Sequence, residues 1–364
     1  MKILNVYYIA FFMIVLFPTM ALAEDKSNIN NNLTSSLSTT PINTTNVDFA
    51  TNVEFIKGHL SAAISNKQAG NNELTQTHTF HPITEIYALI RDQLSSADSE
   101  LNKTLIDSLN NLTSIVFTSQ PAEFVDSATF VKNQFDKALV TVIPENETAN
   151  IKFNMSTLIN LLKTAAAEYE IGIDNGTITN IAEYQDAQGF VSSANELFKK
   201  TTSNLNQTMT NEFTKIKDSL YKLNTSISNR DDERQVSTII NNITNTIPNI
   251  LNVRADDLAI LASTDTESSE LINNIRTLLD QIIENAKNGN YQNAESLVIE
   301  AYLDNFEFLE GEIAKHDESL MKDTEVLLRE QLRNLILGKA GIEDIQEMVD
   351  KINSKLNEIE KIIQ

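Results

Sequence analysis

Residues 78–90 read HTFHPITEIYALI: two of the chain's four histidines, His78 and His81, stand three apart, and Glu85 follows four residues on. On a regular helix, turning about 100° per residue, those three side chains fall within about 60° of one another. A third histidine, His59, lies as far before Gly70 as His81 lies after it. If two antiparallel helices turn at Gly70, His59 and His81 come level, because both helices rise ~1.5 Å per residue. Imidazole nitrogens beside a carboxylate oxygen suit a transition metal, so His59, His78, His81 and Glu85 form the first candidate metal set. Pro82 leaves two courses open: the helix runs through it, or starts there and leaves His78 in the turn. A metal is not required, since the histidines also flank a core stripe of Phe80, Ile83, Tyr87 and Ile90. Flanking the stripe without filling it, they should cost little packing if removed.

A second candidate set follows from an internal repeat. Residues 53–101 laid over 272–320, at a constant offset of 219 and without a gap, share eight identities in 49 positions, among them Gly70/Gly289, Asn71/Asn290 and Asp98/Asp317. Apolar positions match in character as well, as at Phe80/Ile299, Tyr87/Phe306 and Leu94/Ile313. In the second copy His59 becomes Leu278, His78 becomes Leu297, His81 becomes Glu300 and Glu85 becomes Asp304. Glu300, Asp304 and Glu307 then line one flank, as a hard-cation site or as a solvated acidic face. Glu310 falls inside the apolar arc of Tyr302, Phe306 and Ile313, where a carboxylate needs a partner or a cation. Its counterpart is Arg91, so a Glu310–Arg91 pair across the copies is expected. A third, weaker set, Glu168, Tyr169 and Tyr184 with Asp186 nearby, surrounds an Asn175-Gly176 turn. Phenol and carboxylate oxygens there could hold ferric iron, or the tyrosines are core residues of their apolar stripes.

The elements that must position these residues are helices. Met209, Phe213, Ile216, Leu220, Leu223 and Ile227 step 4-3-4-3-4, and Ile345, Val349, Ile352, Leu356, Ile359 and Ile363 do the same. Such spacing keeps one face apolar over several turns and does not fit a strand. With 9 Gly and 6 Pro in 364 residues, the fold class is all-α: antiparallel helical hairpins and bundles with a divergent repeat. Each copy reads as an amphipathic helix, a Gly-Asn turn suited to a helix C-cap, and a helix running back. Asn180 with Glu183 makes a capping box for the helix after the Asn-Gly turn. The expected organisation is a signal peptide at 1–23, a polar linker at 24–48, repeat one at 49–145, a middle helical unit at 146–245 and repeat two at 246–364.

Composition narrows the partners. A net charge of −22 repels nucleic acid and anionic membrane surfaces and favours cations. Lys2, the apolar run YYIAFFMIVLF and small residues at Ala21 and Ala23 read as a secretory signal, retained as an anchor if uncleaved; no later segment is apolar enough to span a bilayer. The chain is therefore expected outside the cytoplasm. It has no cysteine, which leaves packing alone to hold the fold and N and O atoms alone to ligate a metal. Ten Asn-x-Ser/Thr sequons, all before residue 245, mark possible glycan sites in an exported chain. No nucleophile elbow, zinc-protease helix or phosphate loop occurs, so a non-catalytic protein is expected.

The stretch Tyr169, Ile173, Asp174, Gly176, Asn180, Glu183, Tyr184 and Phe190 resembles the extracytoplasmic helical region of the oxidase-dependent high-affinity iron permeases. Gly289, Ala301-Tyr302, Phe306-Glu307, Glu310 and Asp317 are similar to that region's repeated hairpin. The permease's transport chemistry resembles an Arg-Glu-x-x-Glu motif within membrane helices; the nearest match, REQLR at 329–333, ends in Arg333 and lies in a charged segment. The resemblance thus implies an outward-facing helical part without the pore. It favours iron, or another divalent or trivalent cation, as ligand and a membrane iron transporter as partner. The functional expectation is an exported metal-binding protein that captures or delivers iron at the cell surface; the alternative is a helical interaction module without metal.

Overall fold

The computed structural model of the protein describes residues 42–203, 207–258 and 268–363. The expected signal segment and the linker up to residue 41 lie outside the described residues. Helix α1 (Thr44–Gln68) starts inside the stretch read as linker and buries Asn46 and Val47.

Helices follow one another almost without interruption. After α1 come α2 (Asn72–His81), a π-helical turn at Pro82–Ile86, α3 (Tyr87–Ala97), α4 (Ser99–Ile115) and α5 (Pro121–Val142). The middle unit holds α6 (Ile151–Gly172), α7 (Ile181–Thr202), α8 (Gln207–Asn229) and α9 (Glu233–Leu251). Between α6 and α7, β1 (Ile173–Asp174) pairs antiparallel with β2 (Thr177–Ile178). Asn175 and Gly176 close that hairpin at φ 48° and 78°, the double left-handed turn that Asn-Gly favours. The second copy comprises α10 (Ser268–Lys287), α11 (Tyr291–Ala301), a π turn at Tyr302–Phe306, α12 (Glu307–Glu325), a π segment at Val326–Leu332, α13 (Arg333–Leu337) and α14 (Ile342–Ile362).

The repeat is present in the backbone as well as in the residues. Gly70 and Gly289 both end their first helix at positive φ, 79° and 76°, a conformation that costs glycine nothing. Asp98 and Asp317 share extended dihedrals, φ −155° in each, and each side chain accepts from the amide three residues on at 2.9 Å. Those are N-caps, which reverse the chain at equivalent places. Each copy also widens into a π turn just after its second helix begins to run back.

The apolar stripes find their cores. Phe213, Ile216, Leu220, Leu223 and Ile227 are buried, as are Ile345, Val349, Ile352, Leu356 and Ile359. The first copy and the middle unit share one continuous core, whereas the second copy has its own; Leu303 packs against both. Among the described residues no helix is long and apolar enough to cross a membrane.

Candidate metal centre

Where α1, α2 and α7 meet, three histidines surround one carboxylate. His59 Nδ1 lies 2.6 Å from Asp186 Oδ1, His78 Nδ1 lies 2.9 Å from the same oxygen, and His81 Nδ1 lies 3.3 Å from Oδ2. One donor atom from each of the four lies within 4.8 Å of all the others. Ligands held at ~2.1 Å from one ion stand roughly 3–4 Å apart, so small side-chain rotations suffice to enclose one. Among the described residues no other group of His, Asp and Glu gathers so closely. The fourth histidine, His316, is exposed and faces Glu312 at 3.4 Å.

Two glycines set this geometry. A Cβ on Gly189 would stand 2.6 Å from the Gly58 carbonyl oxygen, and one on Gly58 would stand 2.7 Å from Phe190 Cδ1. Without those methyls α1 and α7 touch backbone to backbone, which delivers Asp186 against the residue after Gly58, His59. The α7 helix also covers the histidine face of α2, so His78 and His81 are 0% and 8% exposed. They therefore fill space, contrary to the expectation that they merely flank the core.

The helix runs through Pro82, the first of the two courses expected, but not as a regular α-helix. Helix α2 is formed before it, with His78 in its last turns, and Pro82 opens a π turn in which Tyr87 N donates to the Pro82 carbonyl. The extra residue in that turn shifts the helical phase. Before it the buried face carries Thr75, His78 and His81; after it the buried face carries Ile86, Tyr87 and Ile90. Phe80, read as a stripe residue, is 51% exposed for this reason. Glu85 is rotated to the edge of the cluster, 3.9 Å from His81 Nδ1 and 3.6 Å from Arg329, and Asp186 takes the carboxylate position instead.

Electrostatics tie the four groups together. Burial opposes a charge on Asp186, but His59 and His78 outweigh it and hold its carboxyl well below the usual range. Burial also works against charged His78, yet the charge and hydrogen bond of Asp186 raise it. His81 is pushed up to about 10, with Glu85 and Asp186 overcoming its burial. Gln185 Oε1 meets His78 Nε2 at 2.8 Å and is itself held by Asn66, an orienting contact of the kind metal-bound imidazoles use. Two buried atoms, His59 Nδ1 and Asp186 Oδ2, lack a hydrogen-bond partner among the described residues. Their nearest contacts are within the cluster itself, 2.6 Å from His59 Nδ1 to Asp186 Oδ1 and 3.3 Å from His81 Nδ1 to Asp186 Oδ2. A cation at the centre would satisfy both, so the residues present fit a bound metal.

The second candidate set does not gather at one point. Glu300 and Asp304 are partly exposed and lie near Asp48. Glu307 is buried against Glu168, and Glu310 against Glu325 and Arg329. Burial, then repulsion from Glu300 and Asp48, pushes Asp304 up to about 8. Burial and neighbouring carboxylates raise Glu168, Glu307 and Glu310 well above the ordinary range. The expected Glu310–Arg91 pair is not formed. Arg91 reaches Glu295 at 3.1 Å, and Arg333 reaches the other oxygen of Glu295 at 2.8 Å.

In the third set the tyrosines are core residues. Tyr169 donates to the Asp231 carbonyl at 2.6 Å and Tyr184 to the Ile227 carbonyl at 3.0 Å, so both phenols are engaged by backbone. Only Asp186 of that stretch reaches the histidines; its one sequence signal is Gly189 a turn later, which marks a close helix approach without naming the partner.

Residues 144–253 match the model of a protein family described as the iron permease-associated 4-helix bundle domain. That span contains α6 to α9 and, with them, Asp186 and Glu168; His59, His78 and His81 precede it. The resemblance to the helical region of the iron permeases, read on Tyr169 to Phe190, therefore holds. No curated protein and no solved structure matches the chain.

Proposed function

We propose that this protein, which carries an iron permease-associated bundle, binds a transition-metal cation at His59, His78, His81 and Asp186. Iron is the ion that the description of the matched domain names, and nitrogen and oxygen donors suit it. The observation that carries the reading is the convergence of three imidazoles on one buried aspartate, with two of the donor atoms left unbonded. The chemistry required is binding, without catalysis. Once a divalent ion displaces the protons that Asp186 and Glu85 hold on the imidazoles, three neutral ligands and one anion can hold it while leaving positions for water or for a group of a receiving protein. A groove lined by Ser61, Asn66, Gln185 and Ser192 includes Gln185, whose Oε1 meets His78 Nε2 at 2.8 Å, and offers a route for a hydrated ion. As an exported protein it would capture iron outside the cytoplasm and pass it to a membrane iron transporter.

Elemental analysis of protein purified from its native envelope tests this directly: iron or another transition metal should copurify near stoichiometrically. Calorimetric titration of the metal-free chain with Fe(II) should give tight binding that His78→Gln with His81→Gln abolishes. Glutamine keeps much of the imidazole's volume and can still donate to Asp186, which protects the fold. Equal affinity in wild type and variant would remove the site, and the interaction-module reading would then lead.

A further inference from the structure

We propose that the cavity between the two π turns is a second cation site, built of oxygen donors and suited to a hard divalent or trivalent ion. The cavity measures about 20 Å³ and is lined by His59, Glu85, Thr164, Glu168, Asp304 and Glu307, among others. A space of that size holds about one water-sized guest. Its carboxylates come from every part of the fold: Glu85 from the first π turn, Asp304 from the second, Glu168 from α6 and Glu307 from the start of α12. Glu85 and Asp304 are equivalents across the repeat, at the same offset of 219. The two copies thus present matching acids to one cavity, and the middle bundle adds a third.

So many acids around a small, largely buried space need compensation. Glu168 and Glu307 lie close enough to interact, and burial with neighbouring carboxylates favours a proton on them. Glu307 Oε1 is buried, with its residue 3% exposed, and has no hydrogen-bond partner among the described residues. An oxygen acceptor in that state is what a cation ligand looks like before the ion arrives. These carboxylates do not form as tight a group as the histidine centre does, and an ion would draw them in. Oxygen donors alone select Mn²⁺, Ca²⁺ or Mg²⁺-like ions over softer ones. The inference goes beyond the histidine centre: the cavity shares His59 with that centre, but its carboxylates Glu168 and Glu307 do not belong to it.

The test is equilibrium dialysis of the metal-free full chain against manganese(II) chloride alone. Wild type should take up two ions per chain. Glu168→Gln with Glu307→Gln should take up one, and His78→Gln with His81→Gln should also take up one. The glutamines imitate protonated acids, so folding should survive; melting curves and the single Glu307→Gln variant guard that point. Manganese anomalous scattering from crystals should place a peak beside Glu307. Undiminished uptake in the carboxylate variants, or none in the histidine variant, overturns this site. One ion in wild type, lost only with the histidines, overturns it while leaving the histidine centre standing.

Discussion

Helices α1 and α10 open equivalent copies of one fold, yet only α10 is amphipathic. Among the buried residues of α10 all are apolar, whereas α1 buries Glu54, Lys57, His59, Asn66 and Lys67 as well. The cause is cover: α1 packs on α6 and α7 of the middle bundle in addition to its own copy, while α10 packs on helices of the second copy. Polar groups on α1 must therefore find partners inside the protein. Lys57 meets Glu54 and Asp136, each at 2.8 Å, and Asn66 meets Gln185 at 2.8 Å. A repeat that keeps its turns and caps can thus gather a buried polar cluster on one side only, where a third element encloses it.

The strongest way to break this comparison is to remove the aspartate that the covering bundle supplies. Asp186→Asn leaves buried imidazoles without their anion, and should cost about 3–5 kcal/mol of stability and all tight metal binding. Denaturant unfolding and calorimetry measure the two effects. A change under about 1 kcal/mol would mean that the cluster does not hold α1, α2 and α7 together.

Next is the contrast in pH dependence between the two acids. Asp304, raised to about 8, binds a proton in the folded state that the unfolded chain loses near pH ~4. Its contribution is therefore fully present below pH ~4 and is lost as pH rises towards about 8. Asp186 is depressed, so its contribution is present above the ordinary carboxylate range and is lost as pH falls through the lowered value. In the metal-free chain Asp304→Asn should flatten the decline in melting temperature between pH ~4 and ~8 and raise stability at the upper end. An unaltered slope would remove Asp304 from the group of strained acids.

Smaller effects separate the helix contact from the shared turn. Gly189→Ala pushes α7 off α1, since its Cβ would meet the Gly58 oxygen at 2.6 Å; it should cost about 1–3 kcal/mol and weaken metal binding. The second-copy equivalent of Gly58 is Thr277, an exposed residue, and Thr277→Ala should stay within about 0.5 kcal/mol. Gly70→Ala and Gly289→Ala meet no atom within 4 Å, so only backbone strain acts, about 1 kcal/mol each. Equal losses at the two turns, measured by thermal melting, would show the device the copies still share.

Helices, caps and the repeat were legible because they depend on residues close together in the chain. Gly70, Gly289, Asp98 and Asp317 each act on a backbone within a few residues, and the 4-3-4 stripes register against the helix that carries them. The level pairing of His59 with His81 across the Gly70 turn was legible for the same reason, and the rings stand 5.3 Å apart. The phase of α2 was not. Reading Phe80 as core and Glu85 as a ligand assumed a constant turn per residue, and the π turn at Pro82 adds one.

Sequence by itself thus determined the all-α class, the paired copies and three of the four ligand candidates, since spacing along a helix is a local property. Tertiary structure alone decided that Asp186 completes the centre and that Glu85 and Asp304 face one cavity. Both arrangements join residues more than a hundred positions apart, the first through a close helix approach that a single glycine pair permits. Which helix covers which face depends on the energy of the whole packed fold, and no local pattern in the chain records it.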